Sequence, residues 1–320
     1  MGYLNISWRT KGQKLLKKHL AYLRCPQTGQ KLKQSNRKLL GKSHIYYISR
    51  SGVANLMPNK SERNDEIQQN HYNKNLVDAY IKNLTYPHTR VYFRYLDNEL
   101  RKIIGKKKLG KTVDLCCGHG EAQKIFKKEI TLGYGVDVSE KMLFYAKKIH
   151  QNKKFEYLQA SGLNLPFPAN TFDSVICLGG IHHVPNRKLL FNEISRVLKK
   201  GGVLVFREPV DDFFLWRALR KIIYLVSPKL DLSTEQPVRR NRMIPELAQS
   251  GLQIQNWETK GFIGCALVMN SDILIFNRFL RFVPGIKVVV NKLVHFDEKL
   301  SKTKLLKGKG IQVLGLAKKD

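Results

Sequence analysis

Residues 113–120 read Val113-Asp-Leu-Cys-Cys-Gly-His-Gly120, and this stretch together with its neighbours decides the fold. The apolar run Thr112–Leu115 predicts a strand, which leads into a tight loop that contains Gly118 and Gly120. A helix-like run, Glu121–Lys128, follows directly. A strand, a glycine loop and a helix in this order open a nucleotide-cofactor fold, because glycine lets the backbone approach a ligand closely.

An acidic residue stands at the end of the next apolar run. Asp137 closes the run 132–137 and lies 23 positions after Asp114. A carboxylate at the end of a second strand suits the ribose hydroxyls of a nucleotide, since it can accept hydrogen bonds from both. The spacing therefore predicts a ribose-binding role for Asp137.

From residue 110 onward, short apolar runs alternate with helical patterns. This alternation predicts an α/β fold with a parallel, doubly wound sheet. The terminal run 311–317 predicts an additional edge strand. The predicted strands are 111–116, 132–137, 154–159, 173–178 and 202–207, and the predicted helices are 119–129, 139–150 and 187–199.

The composition of the loop narrows the class of cofactor. A dinucleotide loop needs a small residue at the third position after its second glycine, where this chain has Gln123. The phosphate-binding pattern G-x-x-x-x-G-K-[ST] is absent from the loop. The pattern D-x-x-x-G-x-G, from Asp114 to Gly120, instead resembles the loop of class I S-adenosylmethionine-dependent methyltransferases.

Three further stretches carry the same resemblance within residues 110–208. They are Gly135-Val-Asp-Val-Ser-Glu-Lys-Met142, the stretch 165–184 and the stretch 193–205. Stretch 165–184 is very similar to the corresponding region of the type 11 branch of that family. The resemblance implies a Rossmann-like, doubly wound, mostly parallel sheet of seven strands, with S-adenosylmethionine as the cofactor.

The resemblance also assigns roles around the methionine and ribose portions of the cofactor. Asp114 is expected near the methionine ammonium group, with Gly118 and Gly120 allowing the backbone to pass the ligand. Asp137 is expected to accept from the ribose hydroxyls, and Leu178 to lie near the sulfonium.

Around the adenine, Val138 and Met142 are expected to flank the ring. Ser161 stands where the family commonly has an aspartate that accepts from the adenine amino group, and the N–H of Gly162 is expected at ring atom N1. Cys116 stands where the family usually has the first glycine of the loop. Because a thiol is small, we expect binding to survive this departure.

The reaction implied is an SN2 transfer of the methyl group, in which alignment of the reacting atoms supplies most of the rate. An alcohol or phenol acceptor also needs a proton acceptor. His182 and His183, which follow the predicted fourth strand, are candidates for that base. The alternative is that the pair only shapes the loop through hydrogen bonds.

The charge of the chain is strongly basic, with 57 Lys and Arg against 25 Asp and Glu and a net charge of +32. Such a surface attracts polyanions, either RNA or an anionic membrane, unless the lysines are simply solvated. The five cysteines show no disulfide or CxxC spacing, which favours a reducing, cytoplasmic compartment. The first 30 residues lack a signal-peptide core, and no charge-free run is long enough to span a membrane.

Three regions are expected along the chain. Residues 1–60 form a basic segment that weakly resembles a zinc-ribbon leader between residues 21 and 58. Only Cys25 of the four thiolates remains, so no metal is predicted. Residues 61–109 are expected to be a linker (61–75) and helices. Residues 110–320 are expected to be the methyltransferase domain, with a helical insertion at about 210–300.

The predicted insertion and the loop after the predicted fourth strand indicate which class of molecule accepts the methyl group. Residues 212–227 predict a basic amphipathic helix, which either covers an apolar cavity or lies on an anionic membrane. Gly179-Gly-Ile-His-His183 lacks the Asn/Asp-Pro-Pro-Tyr and Pro-Cys motifs of base methylation. An apolar or lipid-linked acceptor is therefore favoured, with RNA methylation and a non-catalytic cofactor-binding protein as alternatives. The oligomeric state stays open.

Overall fold

The computed structural model describes residues 15, 17–58, 63–73, 76–226, 236, 238–268 and 275–320. Over these residues a single mixed sheet forms the centre of the molecule. Its strands are β1 (Lys33–Ser35), β2 (Lys38–Leu40), β3 (Ile45–Ile48), β4 (Ala54–Asn55), β5 (Gly110–Leu115), β6 (Ile130–Asp137), β7 (Phe155–Gln159), β8 (Phe172–Leu178), β9 (Leu198–Pro209), β10 (Leu252–Lys260) and β11 (Gln312–Lys319).

Helices connect these strands and cover both faces of the sheet. The α-helices of the described residues are α1 (Lys17–Leu20), α2 (Arg63–Asn73), α3 (Leu76–Asn83), α4 (Pro87–Ile104), α5 (Glu121–Phe126), α6 (Glu140–Ile149), α7 (Arg187–Val197), α8 (Phe214–Val226), α9 (Arg240–Gln249), α10 (Ile263–Val268) and α11 (Ile286–Lys302). Two 3-10 helices, Ile181–His183 and Ile275–Phe282, complete the set.

The strand order is β1-β2-β3-β4-β7-β6-β5-β8-β9-β11-β10. From β4 to β9 neighbouring strands run parallel, and β11 is antiparallel to both β9 and β10. The order reverses at β5, because β6 and β7 lie on one side of it and β8 and β9 on the other. This is the doubly wound, Rossmann-like arrangement that the alternating pattern predicts.

The predicted count of seven strands is not confirmed, since the described sheet has eleven. Seven of them, β5–β11, lie from residue 110 onward, and the four N-terminal strands extend the sheet beyond β7. Strand β4 adds to β7 in parallel, with Ala54 opposite Leu158. The region 210–300 is not wholly helical either, because it contributes β10, which pairs along its length with β11.

The N-terminal segment is part of the main core. Leu23, Leu39 and Leu56 are buried in the same cluster as Tyr134 of β6. At the predicted remnant of a zinc ribbon, the Cys25 thiol lies 3.2 Å from the hydroxyl of Tyr46. The apolar packing of these leucines stabilises the small N-terminal β unit. Among the described residues, no cluster of His, Cys, Asp and Glu has the composition of a metal site.

Within the polar stretch 61–75, which is expected to be a linker, the structure describes a helix, α2, at Arg63–Asn73. Asp65 and Glu66 lie in its first turn, where carboxylates interact favourably with the helix dipole. The amide of Gln69 donates to the carbonyl of Val138 at 3.2 Å, which ties α2 to the end of β6. None of the helices in the described part of the chain has the length and apolarity of a membrane-spanning segment.

Candidate cofactor site

A cleft opens where β5, β6 and β8 end, beside the point at which the strand order reverses. Ligands of doubly wound sheets bind at this position. The cleft encloses about 900 Å³ of space when the volume is counted out to its open mouth. Its walls are Asp65, Gln68, Tyr80, Asp114, Cys116, Cys117, Gly118, His119, Glu121, Asp137, Val138, Met142, Gly162, Leu163, Leu178, Gly179, Gly180, His183 and Val184.

The cleft is acidic although the chain is basic. Four carboxylates line it, from Asp65, Asp114, Glu121 and Asp137, and no Lys or Arg is among the described lining residues. The chain as a whole carries +32. Carboxylates held together at low dielectric favour a cationic ligand and disfavour one with several phosphates.

Asp114 is the deepest of these carboxylates, with 3% of its surface exposed. Its Oδ2 is buried and has no hydrogen-bond partner among the described residues. Burial, together with the nearby Glu121 and Asp137, raises the pKa of Asp114 well above its ordinary value. A buried oxygen without a partner is costly, and a donor or cation supplied by a ligand would relieve that cost.

Asp137 is held by the loops that it joins. Its Oδ2 accepts from the N–H of Gly118 at 2.8 Å, and its Oδ1 accepts from the N–H of Ser139 at 2.9 Å. Burial raises the pKa of Asp137, while these backbone hydrogen bonds act in the opposite direction. A carboxylate has about four acceptor positions, so these two hydrogen bonds do not exhaust the capacity of Asp137.

The glycine loop has an unusual residue at its start. Cys116 has a φ of 51°, in the left-handed region that favours glycine, and Gly118 has a φ of 50°. A Cβ on Gly118 would meet only the methyl of Met142, at an ordinary 3.6 Å, so glycine is favoured there by its φ of 50° and not by a lack of space. Gly120 does not line the cleft. A Cβ there would lie 2.8 Å from the ring of His150, so this glycine serves the packing behind the loop.

Three of the four residues that are predicted to contact the adenine line the cleft. Val138, Met142 and Gly162 line the cleft beside Leu163. Ser161 does not line the cleft. It is 3% exposed, and its hydroxyl accepts a hydrogen bond from the N–H of Leu163 at 3.2 Å. Ser161 is thus held in a local turn instead of facing the ligand space.

The two histidines differ in position. His183 lines the cleft, whereas His182 is buried behind it, and their ring centroids are 3.9 Å apart. Nδ1 of His182 lies 2.7 Å from Oε2 of Glu208. A carboxylate can only accept, so Nδ1 carries the proton of this hydrogen bond, and in the neutral form of the ring Nε2 is the unprotonated nitrogen.

Glu208 is a site residue that sequence reasoning misses. It is completely buried and its Oε1 accepts from the N–H groups of Gly180 and Ile181, both at 2.9 Å. Together with its bond to His182, it fixes the loop that forms one wall of the cleft. The available signal is a charged Arg-Glu pair at the end of the apolar run 203–206.

The neighbouring Arg207 forms a second buried charge network. It pairs with Asp97 at 3.0 Å and with Glu121 at 2.7 Å. Burial raises the pKa of Asp97 to about 6 against the pull of Arg207. Burial acts to raise the pKa of Glu121, but its ion pair with Arg207 outweighs this effect and lowers the pKa.

Comparison with known proteins agrees with this fold. Residues 113–206 match a family model described as a methyltransferase domain, of type 11, as the motifs predict. This match supports a class I S-adenosylmethionine-dependent methyltransferase domain that includes residues 113–206, and S-adenosylmethionine is the cofactor that this class implies.

The chain has sequence similarity to two curated methyltransferases whose names refer to quinone biosynthesis. It is 29% identical to the Campylobacter jejuni ubiquinone/menaquinone biosynthesis C-methyltransferase UbiE, over 49% of this chain and 76% of that protein. It is 34% identical to the Staphylococcus aureus demethylmenaquinone methyltransferase, over 33% of this chain and 46% of that protein. The chain thus spans less than half the length of the second relative.

Solved structures share the fold at low identity. A chain from the complex of the Haloferax volcanii Trm112 methyltransferase activator with a methyltransferase aligns with a TM-score of 0.52 and 14% identity, covering 81% of this chain and 99% of that one. A SAM-dependent methyltransferase from Thermotoga maritima aligns with a TM-score of 0.51 and 17% identity, covering 79% and 99%. These likenesses concern the fold.

Proposed function

We propose that this protein transfers the methyl group of S-adenosylmethionine to an apolar, quinone-like small molecule. The observation that carries the proposal is the acidic cleft, in which the unpartnered Oδ2 of Asp114 lies beside a glycine loop and the carboxylate of Asp137. S-adenosylmethionine carries an ammonium and a sulfonium, and its ribose presents two hydroxyls. These groups match the charges and acceptors of the cleft.

The residues present fit the cofactor. Asp114 would hold the ammonium, and Asp137 would accept from the ribose hydroxyls with the positions that Gly118 and Ser139 leave open. Val138 and Met142 would contact the adenine, with the N–H of Gly162 near N1, and Leu178 would lie by the sulfonium. Cys116, Gly120 and Ser161 would act indirectly, through the shape of the loops.

When bound, the cofactor supplies a methyl carbon activated by its sulfonium. The chain then has to align an acceptor and manage one proton. His183 reaches the cleft and is proposed as the proton acceptor. His182 is proposed to position it from behind, since Glu208 fixes the tautomer of His182 and the two rings are in contact.

The proposed acceptor class has two supports. The wall near His183 includes the apolar Leu163, Leu178 and Val184, and the relatives named above act in quinone biosynthesis by their names. The lack of Lys and Arg among the described lining residues weakens the RNA alternative at the site itself, because RNA binding relies on cations near phosphates. The alternative of a non-catalytic protein predicts that the cleft binds the cofactor but transfers no methyl group.

Transfer of tritium from methyl-labelled S-adenosylmethionine tests the proposal. The protein is incubated separately with a quinone-type lipid lacking the ring methyl and with total RNA, and Asp137→Ala serves as the control. The expected result is label in the lipid, lost in the control. Label in RNA would support the RNA alternative, and cofactor binding without label in either would support the non-catalytic one.

A further inference from the structure

Exposed apolar side chains are concentrated in the C-terminal helices. Of the seventeen large hydrophobic residues that are exposed on the described surface, twelve lie within 214–222, 263–267 and 279–296. They include Phe214 at 66%, Phe279 at 65% and Phe282 at 68% exposure. Soluble proteins rarely expose so many large apolar groups together without a partner.

We treat these segments as one surface because they share one buried base. Trp216 of α8 and Leu280 of the 3-10 helix Ile275–Phe282 pack on the same cluster as Val268 of α10 and Val290 of α11. The exposed residues of each segment therefore surround a common core. We call this surface the C-terminal apolar face; its exposed members are Phe214, Leu215, Leu219, Ile222, Ile263, Leu267, Phe279, Phe282, Val283, Val288, Val289 and Phe296.

The charge of the C-terminal apolar face has a single sign. The described stretches 214–226, 263–268 and 275–296 contain no Asp or Glu. Basic residues are interspersed along them: Arg217, Arg220, Lys221, Arg278, Arg281, Lys287 and Lys292. Exposed aromatic and aliphatic groups beside Lys and Arg match a bilayer with anionic head groups, which takes apolar groups into its interface and attracts cations.

Two other partners match this surface less well. A second copy of the chain would bring two like-charged faces together, and the resulting repulsion disfavours self-association. RNA would bind the basic residues but gains nothing from exposed valines and leucines. The cleft does not use this face either, since none of its described lining residues lies beyond residue 184.

We propose that the C-terminal apolar face docks the protein on the surface of an anionic lipid membrane. The helices lie in the interface, with Phe and Leu side chains in the acyl boundary and Lys and Arg at the head groups. The inference rests on the surface alone, but it complements the proposed function, because an apolar acceptor resides in the same membrane.

Vesicle co-sedimentation tests this docking without any methyl transfer. The full chain is mixed with vesicles of equal parts phosphatidylglycerol and phosphatidylcholine, or of phosphatidylcholine alone. The double variant Leu219→Asp with Phe282→Asp is compared with Ile149→Asp with Leu189→Asp, whose side chains are exposed to 53% and 43% outside this face. Circular dichroism confirms that each variant is folded.

We expect binding to the anionic vesicles only, with a loss of about tenfold or more in the first double variant and little change in the second. Lys287→Glu should weaken binding by about fivefold or more, whereas Lys33→Glu, on β1, should not. Equal losses in both double variants, or equal binding to neutral vesicles, would overturn the proposal. So would no binding by the wild type, or binding of RNA that the Leu219/Phe282 variant loses.

Discussion

Removal of the Glu208 carboxylate should loosen the loop that walls the cleft. Glu208 is fully buried and accepts from the N–H groups of Gly180 and Ile181 at 2.9 Å and from Nδ1 of His182 at 2.7 Å. In Glu208→Ala the two backbone donors lose their acceptor without gaining water. At about 1–3 kcal/mol for each unsatisfied buried donor, we expect a loss of about 2–6 kcal/mol in the free energy of unfolding.

Glu208→Gln separates stability from proton transfer. The amide oxygen can still accept from the two backbone groups, and the amide N–H can donate to Nδ1 of His182. The proton of His182 must then move to Nε2, so the tautomer is reversed. We expect this variant to unfold with a smaller loss than Glu208→Ala and to bind the cofactor, but to transfer methyl groups more slowly than the wild type.

Denaturant unfolding followed by circular dichroism measures both variants, with Glu258→Ala as the matched control. The side chain of Glu258 is 45% exposed and pairs with Lys260 at 3.4 Å, so its removal should cost no more than about 1 kcal/mol. The reasoning is refuted if Glu208→Ala loses less than about 1 kcal/mol, the size of one ordinary hydrogen bond.

Three further substitutions test other parts of the site. Asp137→Asn should weaken calorimetric binding of S-adenosylmethionine by about a hundredfold or more, because two charge-assisted hydrogen bonds are impaired; unchanged affinity would contradict the role of Asp137. Cys116→Gly should raise the free energy of unfolding by up to about 1 kcal/mol. Glycine removes left-handed backbone strain of about 1–2 kcal/mol but loses more chain entropy on folding. Cys116→Ala keeps the strain, so an Ala variant that is more stable than the Gly variant would count against this reasoning. Burial raises the pKa of Asp97 from 3.8 to about 6. The stability that the protonated Asp97 carboxyl contributes is therefore fully present below about pH 3.8 and is lost as the pH rises through about 6. Urea unfolding from pH 4 to 7 should show this loss relative to Asp97→Asn, and parallel pH profiles of the two proteins would refute it.

Much of the fold is predictable because the central strands are continuous apolar runs. The predicted strands 111–116 and 132–137 correspond to β5 and β6. Strand β10 is not predicted, because its residues are only partly buried and its sequence is mostly polar. The short strands β1–β4 are stable only through their continuation of the sheet, and no local pattern reveals that contact.

The candidate site is predictable where a motif carries it. Asp114, Gly118 and Asp137 meet in the cleft as the loop pattern indicates. Asp65 and Tyr80 come from helices far away in sequence, and only the tertiary structure brings them there. His182, by contrast, is sequence-adjacent to a lining residue but is buried behind it, because the buried Glu208 binds its ring.

Titration of S-adenosylmethionine into the wild-type protein, followed by calorimetry, tests the central claim most directly. The claim is that the acidic cleft at the ends of β5, β6 and β8 binds this cofactor. We predict saturable binding at one site per chain, tighter for S-adenosylmethionine than for S-adenosylhomocysteine, because only the former carries the sulfonium charge. Absence of saturable binding at millimolar concentration would contradict the claim.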